Sequence, residues 1–447
     1  MKYILSIAFL IVSFISFGQE SEAYKISLEQ AIERALDSSY VSLNARRDQA
    51  KALKQKWETT ADGLPQINAN VRYENSPQLR VNPIPAAFNG TGETQFVAFG
   101  LQQNMSATAS LNQLIFDGSY FVALQAAKTF LEFSKNANEK TRLQVRQNVI
   151  AAYANALLVK SSFEVIKRNK KTLEKNLEET RKIFENGLAE EEEVEQLQIT
   201  FQQISNQLSN AERNLDLSKQ TLKMLLALPV DKNIILTDEL DNLAKDQLSN
   251  FDLLEAELNV ENNIDYKIAD NLVKQRELEY KLEKSKALPR LSAFASYGTV
   301  SFDDNFVFFE TSQPWFQFSQ VGFNLDIPIF SSLKRSKRTQ RAEITLLQAK
   351  SEFNESVEQI KLDFNQAKSD YRFAFENYQT AEDNLNLAER IERKNTIKFK
   401  EGLTSSFELR QAQLQLYDAQ NTYLQSMLQL INSKTSLETV LNQVDVK

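Results

Sequence analysis

Apolar residues between 353 and 388 recur in alternating steps of four and three. Phe353, Val357, Ile360, Phe364, Ala367, Tyr371, Ala374, Tyr378, Ala381, Leu385 and Ala388 follow this rhythm. The mean step is that of a left-handed coiled-coil seam, so the pattern predicts a long helix packed lengthwise on others. Shifted back by 215 residues, the same rhythm runs through Val145, Val149, Ala152, Ala156, Val159, Phe163, Ile166 and Leu173, with Lys170 interrupting it. A second matched series follows each seam. Val194, Leu197, Phe201, Ile204, Leu208, Leu215, Leu222 and Leu225 correspond to Leu409, Ala412, Leu416, Ala419, Tyr423, Leu430, Leu437 and Val440. A fixed offset held over both series is the mark of an internal duplication.

Between the two series of each half lies a Gly-Leu pair, in "FENGLAEEEEVEQLQ" and "FKEGLTSSFELRQAQ". Gly187 and Gly402 each end a helix, because glycine tolerates the left-handed backbone at a C-terminal cap. Each half is therefore a helical hairpin with its tip near 184–193 or 399–408. The helix expected over Ser119–Phe184 spans 66 residues, or roughly 100 Å. Prolines respect these tracts: none lies between 86 and 228 or beyond 328.

The proline zones carry a period of two. Ile67, Ala69, Val71 and Tyr73 alternate with Asn68, Asn70, Arg72 and Glu74. Val97, Phe99, Leu101, Met105, Ala107, Ala109 and Leu111 suggest one continuous strand, and Val321, Phe323, Leu325 and Ile327 another. Residues 290–300 alternate too, although Phe294 breaks the polar face. Such alternation predicts strand pairs over 66–116 and 290–330, each with one apolar and one wet face. It fits a soluble sandwich or a membrane barrel alike. One strand pair per half is too little for a soluble sheet with its own core. The aromatics Phe302, Phe306, Phe308, Phe309, Trp315, Phe316 and Phe318 resemble an interfacial girdle. Four strands cannot close a membrane barrel, so the barrel must be shared between chains, as a dimer or a trimer.

Composition narrows the chemistry. The 447-residue chain has no Cys and no His, which removes thiol, disulfide and His-based acid–base chemistry and Cys/His metal sites. A net charge of −7 without a basic run argues against a nucleic-acid partner. No cofactor or catalytic constellation is expected. "MKYILSIAFLIVSFISFGQE" reads as a secretory signal peptide over residues 1–18, cut ahead of Gln19, the rival being an uncleaved N-terminal anchor. No Cys follows the apolar run, which excludes a bacterial lipid anchor. No later segment approaches 18 consecutive apolar residues, so no transmembrane helix is expected.

An exported, duplicated chain with two strand pairs and two long hairpins resembles the TolC family of outer-membrane efflux proteins. "ISLEQAIERALDSS" is similar to that family's opening helix, and "DLLEAELNVENNIDY" echoes it in the second half. "GLPQINANVRYE" and "ALPRLSAFASYG" resemble paired helix-to-strand junctions. The resemblance implies a mainly α fold with a β-barrel part: a homotrimer with a shared 12-stranded barrel in outer-membrane lipid and an α-helical periplasmic tunnel. It divides the chain into a first repeat (19–228), a belt (229–261) and a second repeat (262–447). It implies a passive conduit joined through a periplasmic adaptor to an inner-membrane pump. Phe184, Gly187, Leu188, Phe399, Gly402 and Leu403 become adaptor-docking residues. Glu193, Glu408 and Gln411 fall at the entrance; Gln411 stands where a second acidic ring is often found. A soluble adaptor or a structural coiled-coil surface protein are the rival readings. The first needs β domains flanking one hairpin, and the second has no reason to repeat the proline zones.

Overall fold

Both proline-free tracts are helical, and the two proline zones hold the strands. The computed structural model describes residues 24–85, 90, 93–248 and 252–442, so the expected signal peptide lies outside the described residues. In chain order the elements are β1 (Tyr24–Ile26), α1 (Leu28–Ser38), α2 (Tyr40–Ala61), β2 (Gln66–Asn75), β3 (Val81–Ile84), β4 (Gln95–Ala98), β5 (Gln103–Asp117), α3 (Gly118–Glu185), α4 (Glu191–Leu225), β6 (Ile234–Leu236), α5 (Leu240–Leu248), α6 (Asp252–Glu255), α7 (Ile264–Ser285), β7 (Arg290–Asp303), β8 (Phe316–Asp326), α8 (Lys334–Lys400) and α9 (Ser406–Leu441). The duplication reappears in the element bounds. Adding 215 to Glu191–Leu225 gives 406–440, against Ser406–Leu441 for α9. Ahead of the strands the offset is 224, since Tyr40–Ala61 maps onto Ile264–Ser285.

Two compact units emerge, each drawing on both halves of the chain. One comprises residues up to 48, 135–268 and from 354; the other comprises 49–134 and 269–353. In the first unit the seams do what their spacing predicts. Val149, Ala156, Tyr371, Ala374 and Tyr378 are buried, together with Leu222, Leu430 and Leu437. Each fully buried Leu is worth about 1.5–3 kcal/mol, so this core outweighs the exposed ion pairs along the helices. Lys170 interrupts the seam without breaking it, because its ammonium lies over the Phe201 ring, 5.4 Å from the centroid. An 18-residue window of α3 is long and apolar enough to cross a membrane, and part of it lies inside this packed core.

Parallel pairing of β1 with β6 ties the chain's start to residues 234–236, which the alternation did not reveal. A capping box between Ser27 and Gln30 then opens α1. Tyr153 donates to Asp238 (2.7 Å) and to the Ile26 carbonyl (3.0 Å), while the Leu28 N–H also donates to Asp238 (2.7 Å). Tyr423 donates to Asp241 (3.0 Å) and touches Tyr378, oxygen to oxygen, at 3.3 Å. These bonds pin the region around β6 and α5 onto the long helices.

The second unit contains a four-stranded antiparallel sheet in the order β2-β5-β7-β8. Its register sorts the side chains by polarity. Ile67, Leu111, Ala295 and Val321 form one row of the apolar face, whereas Asn68, Ser110, Ser296 and Gln320 form one row of the polar face. Val321 is 82% exposed and Phe323 74%, an apolar face open to its surroundings. The outer edges of β2 and β8 have no neighbouring strand among the described residues.

Three strand expectations need correction. Val97–Leu111 is not one strand: Val97 lies in a separate β3–β4 hairpin, and Gly100 at φ +116° turns the chain before β5 begins. Phe294 does not spoil the polar face, since its ring lies over Gly322, its register partner; Phe318 covers Gly298 in the same way. The aromatic linker is not wholly exposed. Phe308 is buried, with ring centroids of Tyr73, Phe306 and Trp315 at 5.9, 5.6 and 6.5 Å. Ser301 fastens this segment by donating to the Pro314 carbonyl at 2.8 Å.

Candidate functional site

At each hairpin tip the chain reverses through the same six-residue device. After α3, the Gly187 N–H donates to the Phe184 carbonyl (2.8 Å) and the Leu188 N–H to the Ile183 carbonyl (3.0 Å). After α8, Gly402 donates to Phe399 (3.0 Å) and Leu403 to Lys398 (2.8 Å). This is the Schellman pattern, which satisfies the last free carbonyls of a helix. It requires a left-handed residue, and Gly187 and Gly402 sit at φ +73° and +70°.

The device leaves the next residue without cover. Leu188 is 80% exposed and Leu403 76%, although helix capping usually tucks such a leucine against the preceding turn. Phe184 is exposed and Phe399 half-buried. On the first hairpin Phe184, Val194 and Ile199 share a groove whose rim carries Arg181, Glu185, Glu191 and Glu195.

Beyond the glycines the tips diverge. Glu190 begins α4 without a side-chain cap, and Glu191, Glu192 and Glu193 fill its first turn. Those carboxylates stabilise the positive end of the helix. At the second tip Ser405 accepts from the Glu408 N–H (3.4 Å), and the Thr404 hydroxyl donates to the Glu408 carboxylate. Glu408 is therefore exposed but held in place, whereas Glu193 is half-buried; Gln411, one turn on, is exposed. Phe184, Gly187, Leu188 and Glu193 gather at one tip, and Phe399, Gly402, Leu403, Glu408 and Gln411 at the other. Among the described residues no hydrogen bond or ion pair joins the two tips.

Above the tips the hairpins pack through a partly polar interior. Leu173, Leu177, Leu197 and Ile204 form a small core, with Tyr417 of α9 packed against it. The Tyr417 hydroxyl is buried without a hydrogen-bond partner, and burial, aided by Glu392, pushes its pKa up to about 12. Beside β6 and α5, burial and the adjacent Asp238 carboxylate raise the Tyr153 phenol. Burial also lowers the Lys434 ammonium, which lies 4.0 Å from Glu438; Arg146 reaches the same carboxylate at 3.0 Å. Leu173, Leu197 and Ile204 belong to the periodic seams, but Tyr153, Tyr417, Arg146, Lys434 and Glu438 had no periodic signature. Only the acidic residues at 238, 239 and 241 could have hinted at the Tyr153 contact.

An open sheet with an apolar outer face, leading directly into two very long helical hairpins, is the fold class of outer-membrane channels. The chain belongs to the outer membrane efflux protein family, whose model matches residues 26–228 and 249–443. It is thus an outer-membrane protein with a periplasmic helical tunnel. Solved structures agree in fold. The Vibrio cholerae outer membrane protein VceC superposes with a TM-score of 0.71 at 16% identity, covering 93% of this chain and 95% of that one. The Campylobacter jejuni CmeC outer membrane channel gives 0.73 at 17%, covering 93% and 85%. The open state of the Neisseria gonorrhoeae MtrE outer membrane channel gives 0.68 at 16%, covering 93% and 88%. No curated protein sequence matches significantly.

Proposed function

We propose that three copies of this chain close a 12-stranded barrel and act as a passive export duct, fed by an inner-membrane pump through a periplasmic adaptor. The observation that carries this reading is the open sheet. Its apolar face suits lipid, but its two edges, without a neighbouring strand among the described residues, cannot persist there, because every backbone polar group needs a partner. Pairing β8 of one chain with β2 of the next supplies those partners and closes the ring after three copies. No energy-transducing site is needed in such a conduit; the chain supplies the path and the coupling surface.

The adaptor is the chemistry that fits the tips. Leu188 and Leu403 present an apolar side chain at equivalent points of both hairpins, beside Phe184 and Phe399, and a coiled-coil partner can bury them. Glu193 and Glu408 then border the entrance, with Glu408 oriented by Thr404. Six tips in a trimer would surround one opening.

Site-specific photo-cross-linking in cells tests this. A cross-linker at Leu188 or Leu403 should capture an exported periplasmic protein with its own helical hairpin, while one on β2 should capture a second copy of this chain. Cross-links from β2 without any from the tips would overturn adaptor docking.

A further inference from the structure

From the placement of the cations at the start of α8 we infer that Lys334, Lys337, Arg338 and Arg341 line the duct just below the barrel, as a cationic collar that favours passage of organic anions. The inference rests on the trimeric duct proposed above. All four side chains are exposed, and no carboxylate lies within ion-pair distance of them among the described residues. Lys337 alone has a side-chain partner, Gln340 at 3.0 Å. The first turn of α8 contains no acidic residue. Cations are disfavoured at a helix N-terminus, where the backbone dipoles already present positive charge. Helix stability therefore does not account for them. Arg335, the fifth cation of this run, has a separate role: it donates to the carbonyls of Pro328 (2.6 Å) and Ile329 (3.3 Å) and secures the link from β8.

The hand of the sheet decides where the stripe points. The Ser76 N–H donates to the Gln102 carbonyl in register with the β2–β5 ladder. Polar-face residues of β2 consequently direct their backbone bonds at β5. For L-residues with the apolar face toward lipid, this sets β2 at the right and β8 at the left, seen from the lipid with the helices below. As α8 descends from β8, its buried face, Ala342, Leu346 and Ala349, turns right toward its own chain. Spacings of three and four put Lys334, Lys337, Arg338 and Arg341 on one stripe, about a quarter-turn from that face. On a right-handed helix this quarter-turn carries the stripe away from the lipid side and into the lumen.

The duplication sharpens the point. The positions 215 residues earlier are Ser119, Val122, Ala123 and Ala126, all neutral. Val122, Ala123 and Ala126 line a groove with Phe130, Leu278 and Leu282 between α2, α3 and α7. A trimer would therefore alternate three apolar grooves with three stripes of four cations each. That lining suits a solute with an anionic group and an apolar body. A concentrated field of one sign in a confined channel raises the local counter-ion concentration.

Reversal potentials of the purified protein in planar bilayers, measured across a potassium chloride gradient at low ionic strength, test the collar. The variant K334Q/K337Q/R338Q/R341Q should lower the chloride-to-potassium permeability ratio at least about threefold, since such fields change local ion concentrations by about tenfold or more. The chain has no cysteine of its own, so R338C can be labelled singly. A negatively charged methanethiosulfonate reagent on R338C should lower the ratio further. Unchanged reversal potentials in both experiments, from a pore that conducts, overturn the collar and leave the duct intact. Failure of the unaltered protein to form any pore overturns the duct itself.

Discussion

Glu438 lies 3.0 Å from Arg146 and 4.0 Å from Lys434, and all three side chains are at least four-fifths buried. Removing the charge of one member of such a buried ion group costs about 3–5 kcal/mol. The variant E438Q is expected to lose stability in that range, read as a lowered denaturation midpoint in detergent. Tyr417 makes the opposite case. Its hydroxyl is buried without a partner, and its pKa is pushed up to about 12. The folded chain thus holds this proton more tightly than the unfolded chain, whose phenol titrates near 10. Its contribution is complete below about pH 10 and drains away as pH rises toward about 12. The variant Y417F should be at least as stable at pH 8 and should decline less between pH 10 and 12. Thermal unfolding followed across that range checks both statements.

At the scale of elements, the two tips test how backbone geometry is conserved between the halves. Substituting alanine at Gly187 or Gly402 forces a Cβ into the left-handed region, at about 1–2 kcal/mol, although nothing crowds either position. The variants G187A and G402A should therefore speed amide hydrogen exchange at Leu188 and Leu403 while sparing the core around Tyr153, Leu222 and Leu430. Much of this level was legible in advance. Heptad spacing and the Gly-Leu pairs located both hairpins, because long helices that pack lengthwise write their contacts into the sequence with a fixed period. The sheet's two faces were legible for the same reason. The β3–β4 hairpin, the buried Phe308 and the Asp238–Tyr153 bond were not. Each depends on residues meeting across irregular loops, where no period records the contact. Phe294 misled for a related reason: its alternation is broken in sequence but satisfied across strands by Gly322. The tip asymmetry, four glutamates against Thr404, Ser405 and Ser406, was visible as composition, yet only geometry revealed that Thr404 holds Glu408.

At the scale of the whole molecule, the edges of β2 and β8, unpaired among the described residues, and the exposed Val321 and Phe323 face call for partners. In the proposed trimer lipid covers the apolar face, and further copies of the chain cover the edges. Family membership places the protein in the outer membrane; the strand count is what makes the assembly number a physical question. The most direct measurement is the native mass of the protein extracted with detergent from purified outer membranes. A single species with the mass of three chains is the predicted result. A species of one chain, or recovery of the mature protein from the soluble periplasm, would contradict the shared-barrel account.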